Sequence, residues 1–224
     1  MQASLSESLM SAQTNAAETD VDDSFAAPAT TEQLRQVALA LESNGFAAEV
    51  VDTAEDARQR IRSLVPGGST VLTAASETLR LSGIADDIDA LGTAVSIRAR
   101  VHSMNRQSEG DAIRRLMAIP DVVIGSVSAV TQDGSLVAVS ASGSQLPAYA
   151  GGAGRLILVI GAQKVVADLA AAMRRIERYA LPLEMERTKR VYGMPSIIGK
   201  ILIINRDYRA GRTTIILIKQ AIGF

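Results

Sequence analysis

Lys164 is the residue whose type and position most strongly suggest chemistry. It ends the run Gly161-Ala162-Gln163-Lys164, which follows the most apolar predicted strand, residues 156–160, and leads into a predicted helix. Because the amino end of a helix favours acidic side chains, a lysine placed there is a candidate ligand for an anion or a candidate Schiff-base former. The alternative is a solvated lysine with no chemical role.

Small polar residues follow two further predicted strands, residues 70–74 and 122–125. The carboxyl ends of parallel strands meet at one edge of a sheet, where free backbone N–H groups and hydroxyls bind anions. The polar loop 142–145, which follows the predicted hairpin, is a third candidate for anion binding. Each of the three segments also has a structural alternative: Ser76 as a helix N-cap, Gly125 as a tight bend, and loop 142–145 as a plain connection. The predicted ligand-binding residues are Ser76, Glu77, Thr78, Gly125, Ser126, Gly143, Ser144, Gln145, Gly161 and Lys164.

Asp133 is the acidic residue to watch, with Lys164, if the site is catalytic. The predicted strands 127–131 and 136–140 flank Asp133-Gly134, a dipeptide typical of a type I′ hairpin turn, in which both central residues need a positive φ. Asp133 would act as a base or a hydrogen-bond acceptor if the hairpin folded over the cleft. Otherwise it is only a turn residue, and the sequence leaves the catalytic residues open.

Predicted strands alternate with predicted helices along the chain, which indicates an α/β fold with a mostly parallel, Rossmann-like sheet. The hairpin is predicted to be an antiparallel insertion in this fold. Residues 201–204 and 213–218 are predicted to complete the same sheet, and residues 165–179 to form one long helix. This arrangement would bring the polar strand ends together.

The first 29 residues differ in composition from the rest of the chain. They are rich in Ser, Thr, Ala and Gln and contain acidic residues, whereas the first basic residue is Arg35. Such a segment buries too little apolar surface to offset the entropy lost on ordering. We therefore predict a flexible acidic tail over residues 1–29 and a single domain over residues 30–224. A tail helix that packs on a partner is the alternative.

The composition excludes several kinds of site. The chain has no cysteine, which excludes disulfides, thiolate zinc sites and cysteine-held iron–sulfur clusters, and its one histidine, His102, cannot form a multi-histidine metal site. The net charge of −1 and the 3% aromatic content disfavour nucleic-acid binding. Because we find no secretory signal and no apolar run of the about 18 residues that a membrane span needs, we expect a cytoplasmic protein without metal.

Basic residues concentrate in the last quarter of the chain. The expected arrangement is a solvated helix face on which they pair with Glu177, Glu184 and Glu186. The alternative is a docking surface for an acidic partner or an anionic substrate. The cluster contains Arg174, Arg175, Arg178, Arg187, Lys189 and Arg190, to which Arg206, Arg209 and Arg212 add later.

The order of these segments resembles that of the LUD domain of lactate-utilisation proteins. The likeness lies in residues 123–137, Gly143-Ser144-Gln145 and residues 156–166, with the turn 73–79 and the stretch 180–183, and it covers about residues 31–224. It implies a fold similar to the sugar-phosphate isomerase and CoA-transferase superfamily. It also implies a role in oxidising lactate to pyruvate, beside iron–sulfur or flavin partner proteins, and leaves room for a homo-oligomer.

The chain departs from this family at three places. Ser144-Gln145 stands where members often carry an Asn-Arg pair, which removes a bidentate donor to an anion, and Gln163 stands where many have Asn. Residues 191–196 contain none of the cysteines that many members have there, so an iron–sulfur cluster in this chain is excluded. The sequence leaves three functions open: a protein that binds a small anion, a non-catalytic subunit, and an isomerase- or CoA-transferase-like enzyme.

Overall fold

The computed structural model describes residues 21–224, and its centre is a six-stranded sheet in which every neighbouring pair is parallel. The spatial order of these strands is β1-β10-β7-β4-β2-β3. In chain order they are β1 (Ala47–Val51), β2 (Thr70–Thr73), β3 (Val95–Ser96), β4 (Val122–Gly125), β7 (Arg155–Gly161) and β10 (Thr213–Ile218). The predicted α/β fold with a mostly parallel sheet is confirmed.

Helices cover both faces of this sheet. The sequence of β7 requires this, because its side chains are apolar on both faces. Leu158 and Ile160 belong to one apolar core, whereas Ile157 and Val159 belong to another on the opposite face. A strand that is apolar at successive positions must be buried on both sides, as parallel strands usually are. The helices before the last part of the chain are α1 (Thr31–Ser43), α2 (Ala54–Leu64), α3 (Glu77–Leu81), α4 (Ile84–Asp89), α5 (Ile97–His102) and α6 (Gly110–Ala118).

The predicted hairpin belongs to a separate sheet of four strands. Its order is β8-β5-β6-β9, formed by β5 (Ala129–Thr131), β6 (Leu136–Ser140), β8 (Val165–Val166) and β9 (Lys200–Ile204). The prediction that residues 201–204 complete the central sheet is therefore wrong, because β9 pairs antiparallel with β6. Ile201 and Ile203 remain exposed, as suits an edge strand with one open face rather than a strand buried on two sides.

One continuous helical segment follows β8. It consists of α7 (Leu169–Arg175), a π-helical turn (Ile176–Ala180) and α8 (Leu181–Tyr192). The predicted helix over residues 165–179 begins too early, because Val165 and Val166 pair with β5 and Asp168 caps the helix by accepting a hydrogen bond from the N–H of Ala171. Ala171, Ala172 and Ile176 then pack against the four-stranded sheet.

Pro182 explains how the start of the described chain attaches to this helix. Proline has no N–H, so Pro182 cannot donate to the carbonyl of Arg178 four residues earlier. That carbonyl accepts a hydrogen bond from the N–H of Asp22 instead, at 2.9 Å, and a short 3₁₀ turn over Asp23–Ala26 follows. Phe25 then packs beside the core under α7.

Residues 22–29 therefore contact the domain, although the sequence assigns them to the tail. Their apolar content is small, but one aromatic ring and two main-chain hydrogen bonds, from Asp22 and Ala29, hold them in place. The other residues of the predicted tail, 1–20, lie outside the described part. Within residues 21–224, no helix has the length and apolar character to cross a membrane.

Candidate functional site

The carboxyl ends of β2 and β4 and the segment after β7 meet at a cleft of about 420 Å³. The four-stranded sheet and α8 supply its other walls. We call it the serine cleft because hydroxyl groups dominate its polar lining. Its polar lining residues include Ser76, Glu77, Ser126, Ser128, Ser140, Ser142, Ser144, Gln145, Tyr149, Lys164, Glu184, Arg187, Thr188, Tyr192 and Ser196.

Lys164 lies at the floor of the serine cleft and is only 2% exposed. Its Nζ contacts Thr78 Oγ1 at 2.8 Å, Ser126 Oγ at 3.1 Å and the carbonyl oxygen of Val127 at 3.0 Å. None of these partners carries a charge. Burial, followed by the positive charge of Arg175, lowers the pKa of Lys164 well below its ordinary value.

Arg175 is a second buried cation beside this floor, and it is fully buried. It donates to the carbonyl oxygens of Ser128 at 2.6 Å and Gln163 at 3.2 Å, and its guanidinium lies 5.0 Å from the centre of the Tyr179 ring. Its Nη2 is buried without a hydrogen-bond partner. Burial lowers its pKa to about 10. The prediction that Arg175 belongs to a solvated helix face is wrong, because α7 turns this residue towards the four-stranded sheet.

The chain segment 222–224 lies beside the floor, and Phe224 lines the cleft. Gln163 donates to the carbonyl oxygens of Ile222 at 3.0 Å and Gly223 at 2.7 Å, and its Oε1 accepts from the N–H of Ile222 at 3.1 Å. Thr78 also contacts Ile222, its hydroxyl donating to the carbonyl oxygen at 3.3 Å. Because the Thr78 hydroxyl donates its proton to Ile222, it serves as an acceptor for Lys164.

Tyr149 holds the backbone of Ser126. Its hydroxyl accepts a hydrogen bond from the N–H of Ser126 at 3.2 Å and lies 3.3 Å from the carbonyl oxygen of the same residue. A Cβ at Gly125 would lie 1.6 Å from this hydroxyl oxygen, so only glycine admits the tyrosine here. Burial raises the pKa of Tyr149, which keeps the phenol neutral.

Charged residues at the rim of the serine cleft are paired. Arg187 contacts Glu184 through two nitrogens at 2.7 Å each, and its Nε lies 3.6 Å from Glu77. Glu77 also pairs with Arg80 at 2.7 Å, and the hydrogen bond from Arg80 is the main cause that lowers the pKa of Glu77. The hydrogen bond to Glu184 likewise raises the pKa of Arg187.

The structure brings six of the predicted ligand-binding residues to the lining of the serine cleft. These are Ser76, Glu77, Ser126, Ser144, Gln145 and Lys164. Thr78 is buried just behind the lining, against Lys164. Their role in binding remains a prediction, whereas their proximity follows from the shared edge of the parallel sheet.

The three predicted glycines have packing roles. Gly125 admits Tyr149, and a Cβ at Gly161 would meet Gln163 and the backbone of Ile222 at 2.5 to 2.8 Å. Gly143 has a φ of 83°, which favours glycine, and its N–H donates to Ser140 Oγ at 2.8 Å. Close approach therefore involves the protein's own chain at Gly125 and Gly161.

Asp133 does not line the serine cleft. Its carboxylate accepts hydrogen bonds from the hydroxyl of Thr131 and from the N–H of Ser135, and the bond from Thr131 is the main cause that lowers its pKa. Its carbonyl oxygen accepts from Asn44. Only Gly134 of the pair has a positive φ, so the predicted type I′ turn is wrong. The structure gives Asp133 a turn role and no place among the residues at the floor.

Sequence reasoning missed Tyr149, Arg175 and the contribution of α8. Tyr149 could have been noticed as the one aromatic residue in a stretch of small residues, 141–154. Arg175 lies three and four residues after Ala172 and Ala171, on the apolar face of α7, and this spacing predicts burial. Among residues 21–224, no group of three or more His, Cys, Asp or Glu side chains is placed to hold a metal ion.

The class of protein that this fold and cleft define is a parallel α/β domain with a ligand-sized site at its strand ends. The sequence model of the LUD domain matches residues 34–218, and the chain belongs to this family. No curated protein matches the sequence. A crystal structure of a DUF162 family protein from Deinococcus radiodurans, with 13% sequence identity, shares the fold with a TM-score of 0.51, covering 85% of this chain and 99% of that one.

Proposed function

We propose that this LUD domain protein serves the oxidation of lactate to pyruvate and binds a small anionic molecule in the serine cleft. The observation that carries the proposal is the floor of the cleft, where Lys164 and Arg175 are buried with only neutral hydrogen-bond partners. Buried cations are ordinarily paired with an anion or lose their charge, because leaving water is costly. A bound carboxylate or phosphate would supply the missing charge.

The lining supports an anion rather than an apolar ligand. Ser76, Ser126, Ser128 and Ser144 offer hydroxyls that donate hydrogen bonds, and Lys164 lies behind Ser126. An anion near this floor would favour the ammonium form of Lys164, so binding would raise the pKa of Lys164 and take up a proton. The rim arginine, Arg187, already has two carboxylates beside it and is a weaker candidate.

A thermal-shift series with lactate, pyruvate, CoA esters and sugar phosphates tests the proposal. A ligand at 100 times its Kd should stabilise the protein by about 2.7 kcal/mol. We expect a shift with at least one of these anions in the native protein and its loss in Lys164→Met. Lys219→Met is the matched control, because Lys219 pairs with Asp52 at a site outside the cleft lining. No stabilisation by any anion, or an unchanged shift in Lys164→Met, would remove the basis of the proposal.

A second candidate function is that of a non-catalytic subunit beside iron–sulfur or flavin proteins. Large apolar side chains are exposed along one stretch at the rim, where Val191, Tyr192, Met194 and Ile197 are each about half exposed or more. Exposed apolar residues grouped in this way are typical of interaction surfaces. Sedimentation of the chain, alone and mixed with such proteins, tests this function. Complex formation that Met194→Lys weakens would support it, and unchanged sedimentation in every mixture would oppose it.

A further inference from the structure

Ser126 and Lys164 form a pair whose geometry differs from that of an ordinary cap or surface contact. Lys164 Nζ lies 3.1 Å from Ser126 Oγ, and the lysine is buried while Ser126 is partly exposed to the serine cleft. The other hydroxyl beside the amine, that of Thr78, is completely buried. A molecule in the cleft would therefore meet the hydroxyl of Ser126 first, with the amine directly behind it.

The hydrogen bonds around Lys164 assign a direction to each contact. The carbonyl oxygen of Val127 can only accept, so an N–H of Lys164 points to it at 3.0 Å. The Thr78 hydroxyl donates to the carbonyl oxygen of Ile222, so it accepts a second N–H from Lys164 at 2.8 Å. The third hydrogen-bonding direction of the nitrogen faces Ser126. When Lys164 is the neutral amine, its lone pair can accept the proton of the serine hydroxyl, whose other acceptors, Thr78 Oγ1 and the carbonyl oxygen of Val127, both lie farther away at 3.4 Å.

The surroundings of Lys164 favour the neutral amine in the free protein. Burial and the nearby charge of Arg175 both disfavour the ammonium form, and its hydrogen-bond partners include no carboxylate. A serine hydroxyl is a weak nucleophile until a base takes its proton, and an amine with a lowered pKa is one of the bases that proteins use for this. Ser126 is also held in place through its backbone by Tyr149.

We propose that Ser126 and Lys164 are a nucleophile and its general base, and that they hydrolyse a small acyl ester or acyl thioester in the serine cleft. This inference rests on the proposed function in one respect, namely that the acyl compound occupies the same cleft. The proposed function requires only that the site bind an anion. The inference adds a reaction at this site and two catalytic residues.

The reaction balances with water as the only co-reactant. Ser126 Oγ attacks the acyl carbon while its proton passes to Lys164 Nζ. The bond from the acyl carbon to the leaving oxygen or sulfur breaks, and Lys164 returns the proton to that atom. Water then attacks the acyl-serine and gives a proton to Lys164, after which Ser126 Oγ leaves and recovers a proton. The products are an alcohol or thiol and a carboxylic acid.

The charge changes fit the floor. Lys164 becomes an ammonium when negative charge develops on the acyl oxygen, so the two charges arise together and close to one another. The buried guanidinium of Arg175 is a second positive charge near Lys164. An uncharged acyl compound could thus react here. Its carboxylate product would then bind at the floor, like the small anion of the proposed function.

Labelling with a fluorophosphonate, followed by peptide mass spectrometry, tests the inference on the native protein. The reagent bonds its phosphorus to an activated serine oxygen and releases fluoride. We expect an adduct on Ser126 in the native protein and none in Ser126→Ala. Ser128→Ala is the matched control and should be labelled like the native protein, because Ser128 lines the same cleft but does not contact Lys164. We expect Lys164→Met to slow labelling at least about 100-fold, the lower range for loss of a general base.

The outcomes separate the inference from the proposed function. Absence of an adduct on Ser126 in the native protein overturns the dyad without need of any variant, and anion-dependent thermal stabilisation in the same sample would leave the binding function standing. An adduct on Ser126 without stabilisation by any anion supports the dyad and removes the binding function. Equal labelling rates in native protein and folded Lys164→Met overturn the role of Lys164.

Discussion

Lys164 and Arg187 both belong to the serine cleft, but their surroundings differ. Lys164 is 2% exposed and hydrogen-bonds two hydroxyls and one carbonyl, whereas the Arg187 side chain is 19% exposed and lies between the carboxylates of Glu184 and Glu77. The rim thus neutralises its own charge. At the floor no carboxylate of the chain pairs with Lys164, so its ammonium either loses a proton or is matched by a bound anion. For this reason we propose that binding and chemistry take place at the floor.

The largest loss of stability is expected from Gly125→Ala, a substitution that affects the floor and not the rim. The new methyl group would overlap the Tyr149 hydroxyl, which is buried and cannot move without opening the core. Overpacking of this kind costs about 3 kcal/mol, at the upper end of its usual range. Urea denaturation measures the loss. Gly92→Ala is the control, because its Cβ meets no atom within 4 Å, and an equal loss in both variants would contradict the packing at the floor.

A smaller, pH-dependent effect is expected from Lys164→Met. In the unfolded chain the pKa of a lysine is about 10.4, and in the folded protein that of Lys164 is lower. Between these two values the unfolded chain binds a proton that the folded protein does not, so native stability decreases as the pH falls and then stays constant below the folded-state pKa. Each unit of lowering corresponds to about 1.4 kcal/mol.

The variant lacks this penalty while keeping every other titratable group. Its free energy of unfolding, relative to that of the native protein, should therefore rise as the pH falls from about 10.4 towards neutrality. Denaturation of both proteins over this pH range provides the measurement. A constant difference would show that Lys164 keeps its ordinary pKa and that the floor is no different from the rim.

The smallest effect is expected from Glu184→Gln at the rim. The change removes one carboxylate from Arg187, but the pair is partly exposed and Glu77 remains nearby. Exposed ion pairs contribute about 1 kcal/mol or less, and their contribution decreases with salt. Denaturation at low and high salt checks this. A loss as large as that from Gly125→Ala would mean that the rim, rather than the floor, holds the site together.

Topology accounts for what the sequence predicted well. Ser76, Ser126 and Lys164 each follow an apolar strand, and the carboxyl ends of parallel strands share one edge, so their meeting could be inferred without coordinates. The hairpin strands were also recognisable from their pattern, although their sheet was not. Residues 201–204 alternate in exposure, and alternation does not tell which sheet an edge strand joins.

Side-chain partners were beyond prediction for a different reason. The acceptors of Lys164 come from residues 37 to 86 positions away in sequence, so only the packed fold brings them together. Arg175 was misjudged because an arginine is ordinarily solvated, and its burial depends on how α7 lies on the four-stranded sheet. Asp133 lies in a turn that faces Asn44 at the end of α1, and the sequence left open whether this turn folds over the cleft.

The π-helical turn before α8 has a consequence for how this wall can change. Leu181 donates to the carbonyl oxygen of Ile176, five residues earlier, so Ile176–Ala180 holds one residue more than an α-helical connection would. Deleting a single residue there would turn α8 by about 100° and slide it by about 1.5 Å. Arg187 and Thr188 would leave the cleft, and a different set of side chains would replace them, so one codon lost or gained could exchange an entire wall while leaving Lys164, Thr78 and Ser126 in place.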